Sequence, residues 1–136
     1  ETATAAANAL IAEEKAAGRR LPGWGHRIHT DDPRSGRLLA LVREAGVAGP
    51  HIAVAEAIVD EVAKAGKKLP LNVDGAIAAV LADLGFPPEL ANGFFILART
   101  AGWMAHVAEE LGRERPMRRI DQGAAEYDGP APRGLE

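Results

Sequence analysis

Glycine and proline residues divide this chain of 136 residues into five alanine-rich blocks, and this division constrains the fold more than any other feature. The blocks run from about Thr4 to Ala17, from Asp32-Pro33 to Ala45, from Pro50 to the break at Gly66, from Val73 to Leu84, and from Pro87-Pro88 to about Leu111. Alanine favours helix, while proline in a first turn and glycine after a last turn mark helix boundaries. No block alternates apolar and polar residues with the period of a strand. The sequence therefore predicts an all-α domain of about five helices and no sheet.

Two of the blocks differ in how much core they can supply. In the third block, Ile52, Ala55 and Ile58 recur at helical spacing and define one apolar stripe. The first block has Leu10 and Ile11 as its large apolar residues. We therefore expect the first helix to be too weakly apolar to anchor a core by itself.

The charge balance and the absence of cysteine exclude several functions. Sixteen Lys and Arg against 19 Asp and Glu give a formal net charge of -3, whereas nucleic-acid binders carry a basic excess. Without cysteine there is no thiol nucleophile, disulfide or thiolate metal site. No apolar run approaches the ~20 residues of a membrane span, and Glu13 and Glu14 interrupt any signal peptide. We expect no nucleic-acid partner, no membrane span and a cytoplasmic location; the lack of an initiator methionine suggests residues upstream of Glu1.

The loop Gly23-Trp24-Gly25-His26 is the first candidate site. Two glycines let the backbone approach a ligand and expose its N–H groups, and the histidine adds a donor of tunable charge. A histidine beside glycines is also commonly a structural hydrogen-bonding residue in a loop. Both interpretations stay open on the sequence alone.

Arg34 and Asp74 stand near the starts of the second and fourth blocks. A helix N-terminus favours anions, so Arg34 there indicates either a bound anion or an ion pair with Asp31 or Asp32. Asp74 is a candidate general base, but a helix cap or first-turn residue is the commoner role for aspartate at such a place.

Arginines and histidines of the C-terminal half complete the candidates. Because Arg99 lies among apolar residues, its guanidinium must form an ion pair, extend past the apolar surface into water, or bind an anion. The arginine-rich run around Arg115 is either a solvated loop or a clamp for carboxylate or phosphate. His29, His51 and His106 lack metal-ligand spacing, so we predict no metal site.

Taken in order, these segments resemble the citrate synthase superfamily from about Leu21 to Tyr127. Four motifs carry the resemblance: Leu21-Pro22-Gly23-Trp24-Gly25-His26-Arg27-Ile28-His29-Thr30-Asp31-Asp32-Pro33-Arg34, Leu71-Asn72-Val73-Asp74-Gly75, Ala98-Arg99-Thr100-Ala101-Gly102-Trp103-Met104-Ala105-His106, and Glu114-Arg115-Pro116. Within the superfamily, the segment that follows Asn72 and the one that follows Arg115 look more like citryl-CoA lyases than like ordinary citrate synthases.

The resemblance covers only the C-terminal part of the family's all-α fold. It implies an N-terminal helix in residues 1–20 that leads from a missing large domain. It implies a small helical domain with the substrate and CoA site in 21–112, and a return segment and tail in 113–136. The large domain carries another active-site histidine, in a His-Gly-Gly type segment that has no counterpart here. We therefore expect this segment to be inactive by itself.

The resemblance also implies a reaction and a role for each candidate. The enzyme would make or cleave the carbon–carbon bond between acetyl-CoA and oxaloacetate through citryl-CoA. Asp74 would remove a proton from the thioester methyl group, and His26 would hydrogen-bond the ketone oxygen of oxaloacetate. Arg34, Arg99 and Arg115 would hold its carboxylates, with Arg115 reaching across a homodimer interface. His26 and Asp74 would then face one shared pocket.

The CoA thioester would be a substrate, and no tightly bound cofactor is expected. The resemblance implies that CoA is cradled by Pro22, Gly23, Trp24 and Gly25 together with Gly66, Lys67 and Lys68. Two alternatives stay open: a 2-methylcitrate synthase that uses propionyl-CoA, and a non-catalytic helical binding module.

Overall fold

The computed structural model describes residues 2–27, 30–119, 121, 123 and 126–131. Its five α-helices are α1 (Ala3–Ala16), α2 (Pro33–Glu44), α3 (Pro50–Lys64), α4 (Val73–Asp83) and α5 (Ala91–Arg113), with a short 3-10 helix, Pro88–Leu90, before α5. The described residues form no strand beyond an isolated antiparallel bridge between Trp24 and Leu71. The predicted all-α fold is confirmed. None of the helices described here is both apolar enough and long enough to cross a bilayer.

Polar side chains begin three of the helices. Thr2, Asp32 and Asn72 precede α1, α2 and α4, and an oxygen of each side chain accepts a backbone N–H of the first turn. Satisfying these N–H groups fixes where each helix starts. The starts of α2 and α4 predicted from the sequence are therefore confirmed.

The start of α3 is capped from another helix. Its N-cap residue, Gly49, has no side chain to offer, and the carboxylate of Asp83 accepts the N–H groups of Gly49, His51 and Ile52 instead. Burial opposes ionisation of Asp83, but these bonds and the His51 ring lower its pKa overall. The last residue of α4 thereby ties that helix to the first turn of α3.

Helix α3 packs against both α1 and α4, and α4 also packs against α2. A larger cluster of buried residues joins α2, α3, α4 and the segment before α4: Leu39, Val42, Ile52, Ala55, Leu71, Ala76, Ala79 and Val80. A smaller cluster joins α1 to α3 through Ala7, Ile58 and Val62, with Ile11 against it. The first helix thus reaches the core mainly through an alanine, a contact that its few large apolar residues did not suggest.

The chain divides into two compact units, Glu1–Leu97 and Ala98–Glu136. The division falls inside α5, none of whose residues is fully buried. Within the second unit, Arg118 pairs with Glu110, and Arg113 pairs with Asp128. The predicted division into residues 1–20, 21–112 and 113–136 stays a prediction.

Candidate functional site

The glycine loop lies directly on the segment that leads into α4. The Gly25 N–H donates to the Pro70 carbonyl at 2.7 Å, and the Asn72 N–H donates to the Gly23 carbonyl at 3.0 Å. The Asn72 side-chain amide also donates to the Gly25 carbonyl, at 2.9 Å. These bonds surround the bridge between Trp24 and Leu71. The loop that carries His26 is therefore held, backbone to backbone, against the start of the helix that carries Asp74.

Two glycines make this close approach possible. Gly23 has a φ of +89°, and a Cβ atom there would lie 2.7 Å from the Cα atom of Gly75. A Cβ atom on Gly75 would lie 2.4 Å from the Gly23 carbonyl oxygen. Both separations are well inside van der Waals contact, and a positive φ is strained for any other residue. The loop and α4 can touch only because both residues are glycine.

Asp74 lies in the first turn of α4 and its side chain is exposed, but it does not cap the helix. The cap is Asn72, whose Oδ1 accepts the N–H groups of Asp74 and Gly75 at 3.0 and 3.2 Å. The first-turn interpretation of Asp74 is thus confirmed and the capping one is wrong. Because Asn72 performs the capping, the Asp74 carboxylate is not used as the N-cap of α4.

Arg34 forms an ion pair, one of the two interpretations that the sequence left open, and its partner is Asp32. The Asp32 carboxylate accepts hydrogen bonds from Nε of Arg34 at 3.0 Å and from Nη2 at 2.9 Å. It also accepts hydrogen bonds from the backbone N–H groups of Arg34 and Val73. The Arg34 side chain holds the pKa of Asp32 well below its usual range, against the effect of burial. In turn, Asp32 and, more weakly, Asp74 raise the pKa of Arg34. Arg34 therefore lies within electrostatic range of the candidate base.

Asp74 and His26 line neighbouring cavities that share Trp24. The cavity at Asp74, about 440 Å³, is mainly apolar and includes Pro22, Gly23 and His51. The indole N–H of Trp24 donates to the Ala55 carbonyl at 3.3 Å, which anchors this shared wall to α3. The expectation that His26 and Asp74 face one pocket stays a prediction.

The cavity at His26 is cationic. It measures about 540 Å³ and includes Arg20, Arg27 and Lys67 as well as Gly25. Three basic side chains around one opening suit an anion with several charges, such as a phosphate group. The sequence predicted this role for Lys67 but not for Arg20 or Arg27.

The second loop predicted to cradle CoA contains Gly66, Lys67 and Lys68, and all three residues are exposed. Gly66 follows the end of α3, and the Lys67 N–H donates to the Val62 carbonyl at 3.2 Å. The position of Gly66 just after the last turn of α3 is one where glycine commonly ends a helix, and this explains its presence. Lys67 and Lys68 also line a third cavity, of about 500 Å³, on the side of Ser35 and Asp60.

Arg99 and Arg115 belong to the second unit, and both are exposed. Their roles toward a substrate stay predictions. His106 lies 3.8 Å from Glu109 within α5, in agreement with the helical pairing that its spacing allows.

Among the residues that the structure describes, no group of three His, Asp or Glu side chains is arranged to hold a metal ion. His29 and Ile28, which belong to the first motif, lie outside the described residues. The prediction that the protein uses no metal stays a prediction.

Sequence reasoning missed the functions of Asp32 and Asn72 beyond helix capping. Each residue carries the ordinary signal of an N-cap, and that signal says nothing of contacts with a distant segment. Asn72 reaches the Gly25 carbonyl, 47 residues away, and Asp32 reaches the N–H of Val73, 41 residues away. Only the tertiary structure shows these two contacts.

Comparison with known proteins gives one family. The family model described as "Citrate synthase, C-terminal domain" matches residues 1–120. "Putative citrate synthase 2" of Mycobacterium tuberculosis is 32% identical over 124 residues, which are 88% of this chain and 32% of that protein. "Citrate synthase 2" of Bacillus subtilis is 33% identical over 119 residues, which are 82% of this chain and 30% of that protein.

Two solved structures are similar over nearly the whole chain. The citryl-CoA lyase of Hydrogenobacter thermophilus has a TM-score of 0.74 and 41% identity, and the match covers 96% of this chain and 52% of that one. The citrate synthase of Thermotoga maritima has a TM-score of 0.69 and 25% identity, covering 97% of this chain and 36% of that one. The chain thus spans about a third of the length of the curated relatives and about half of the lyase chain.

Proposed function

The chain belongs to the citrate synthase family, and from this premise we propose that the full-length protein makes or cleaves the carbon–carbon bond between acetyl-CoA and oxaloacetate in citryl-CoA. One structural observation carries the proposal. The loop that bears His26 is hydrogen-bonded to the start of α4, and the Asp32 carboxylate that holds Arg34 also accepts the N–H of Val73, the residue before Asp74. A histidine, a carboxylate and an arginine from three separate segments are three of the groups that the proposed mechanism uses. Family membership favours this function over a non-catalytic binding module.

In the proposed mechanism, Asp74 takes a proton from the methyl group of acetyl-CoA. The resulting enolate carbon forms a bond to the ketone carbon of oxaloacetate, and the ketone oxygen becomes an alkoxide. An N–H of His26 stabilises this alkoxide as its charge develops and then gives its proton to the oxygen, which becomes the hydroxyl group of citryl-CoA. In cleavage, His26 takes the hydroxyl proton back, the carbon–carbon bond breaks, and the protonated Asp74 returns its proton to the methyl carbon.

The basic groups hold the anionic parts of the substrates in this proposal. Arg34, with Arg99 and Arg115, would bind the carboxylates of oxaloacetate. The cationic cavity of Arg20, Arg27 and Lys67 suits the phosphate groups of CoA. Arg115 would act across the interface of a homodimer. CoA enters as a substrate, no cofactor is bound tightly, and a cytoplasmic location stays a prediction.

The direction of the reaction is the first thing to test. Full-length protein is mixed with citryl-CoA, and two products are followed separately: oxaloacetate, by a coupled malate dehydrogenase, and free thiol, by a chromogenic disulfide. Because the lyase structure is the more similar of the two at 41% against 25% identity, we expect oxaloacetate to form without free thiol.

The other outcomes of this test are equally informative. Free thiol formed together with citrate would identify a citrate synthase, the second candidate, whose name the curated relatives carry. Turnover of propionyl-CoA in preference to acetyl-CoA would identify a 2-methylcitrate synthase. No turnover of any of these substrates would refute the proposed function.

We also expect residues 1–136 to be inactive without the rest of the protein. An enolate needs a donor on its oxygen, and removing one such donor costs about 10²- to 10³-fold in rate. The resemblance assigns that donor to a histidine of the large domain. The measurement compares turnover of citryl-CoA, and of acetyl-CoA with oxaloacetate, by the segment and by full-length protein at equal concentration. Turnover by the segment at a rate within about tenfold of the full-length protein would contradict the expectation.

A further inference from the structure

Asp32 is the most fully buried charged group in the described part of the chain, and the mechanism above gives it no task. Its relative exposure is 0%, whereas the Arg34 side chain beside it is 45% exposed. A buried carboxylate is costly unless each of its oxygens is hydrogen-bonded. Here each oxygen accepts two bonds: Oδ1 from N and Nε of Arg34, and Oδ2 from Nη2 of Arg34 and N of Val73.

These four bonds connect two helix starts. Asp32 is the N-cap of α2, and Val73 is the first residue of α4, one position before Asp74. Ser35 strengthens the same junction, because its hydroxyl oxygen lies 2.8 Å from the carbonyl oxygens of both Asp32 and Leu71. The N-termini of α2 and α4 are thus directed at one carboxylate, and both helix dipoles favour its charge.

The contacts also determine which edge of the Arg34 guanidinium faces outward. Nε and Nη2 donate to Asp32, so one side of the fork is fixed. The edge formed by Nη1 and the second hydrogen of Nη2 can still donate to both oxygens of a substrate carboxylate. A guanidinium without Asp32 would rotate among several rotamers and present no fixed edge.

From these contacts we propose that Asp32 is a positioning residue, which holds the outward edge of Arg34 toward the dicarboxylate substrate and fixes it relative to Asp74 at the start of α4. The inference rests on the proposed function, in which Arg34 binds a carboxylate of oxaloacetate. It adds that the substrate arginine and the base are aligned through one shared buried anion.

The test is the variant Asp32→Asn in the full-length protein. The asparagine amide has the size of the carboxylate, but its –NH2 group would face N–H donors of Arg34 or Val73. It therefore cannot hold the Arg34 guanidinium in place. We expect the KM for oxaloacetate to rise about 10- to 100-fold, because misplacement by about 1 Å is enough for such an effect. The KM for acetyl-CoA should change by less than threefold. A merely structural role would lower the amount of active enzyme and leave both KM values unchanged.

A double-mutant cycle shows whether Asp32 acts through Arg34. In the background Arg34→Ala, adding Asp32→Asn should leave the already raised KM for oxaloacetate within about twofold. An equal rise in both backgrounds would overturn the proposal, as would an unchanged KM in the single variant. If Asp32→Asn does not fold, Asp32→Glu retains the charge but displaces the fork, and the same rise is expected. If neither variant folds, Asp32 is a folding residue and the proposal is rejected.

This experiment separates the inference from its premise. If the wild-type protein shows no turnover with citryl-CoA or with acetyl-CoA and oxaloacetate, the proposed function fails. If the wild-type protein turns over and the KM for oxaloacetate does not respond to Asp32, only the inference fails.

Discussion

Replacing Asp74 by asparagine in the full-length protein is expected to lower kcat about 10²- to 10⁴-fold, the range typical for the loss of a general base. The amide cannot take a proton from the methyl group of acetyl-CoA. The start of α4 should survive, because the cap uses Asn72 and the backbone N–H of Asp74, and both remain. CoA release or citryl-CoA cleavage gives the rate, and the KM for each substrate is measured at the same time.

The matched control is Asp60→Asn. Asp60 is an exposed carboxylate of α3 that lines the cavity on the side of Ser35. The control should retain kcat within about twofold, because Asp60 lines neither the cavity at Asp74 nor the one at His26 and changes of a surface charge have small effects. A folded Asp74→Asn variant with kcat within threefold of wild type would show that another group removes the proton. The same fall is expected in the cleavage direction, because the proton returns along the same path.

Much of the helical framework could be predicted from local signals. Pro33 after Asp32 marked the start of α2, and Gly66 marked the end of α3, because capping and termination depend on residues within one or two turns. The stripe of Ile52, Ala55 and Ile58 predicted the buried face of α3, and all three are buried. These features need no knowledge of the rest of the fold.

The arrangement of the site could not be predicted in this way. The ion pair of Arg34 with Asp32 was one of two interpretations of a cation at a helix N-terminus, and sequence spacing gives both the same support. The contact of Asn72 with the Gly25 carbonyl joins residues 47 apart, and that of Asp83 with the first turn of α3 joins residues more than 30 apart. Such contacts depend on how the helices pack, which one sequence does not reveal.

Gly23→Ala is expected to be the most destabilising single-methyl change in the glycine loop. Its Cβ atom would lie 2.7 Å from the Cα atom of Gly75, and the φ of +89° is unfavourable for alanine. Left-handed backbone costs about 1–2 kcal/mol and overpacking about 1–3 kcal/mol, so the variant should lose about 3 kcal/mol of folding free energy. Displacement of the His26 loop should also lower kcat/KM by about 10²-fold. Urea titration and citryl-CoA cleavage by the full-length protein measure the two effects.

Two further glycines separate the causes of this loss. Gly18 has a φ of +66° but open space around its Cβ position, so Gly18→Ala should show the backbone cost alone and retain kcat/KM. Gly75 is helical, and its Cβ atom would lie 2.4 Å from the Gly23 carbonyl oxygen, so Gly75→Ala should show the steric cost and the loss of kcat/KM. If Gly23→Ala and Gly75→Ala retain wild-type kcat/KM, the contact between the loop and α4 does not position the reacting groups. A loss of kcat/KM in Gly18→Ala equal to theirs would contradict the steric explanation, because only the backbone strain is common to Gly18 and Gly23.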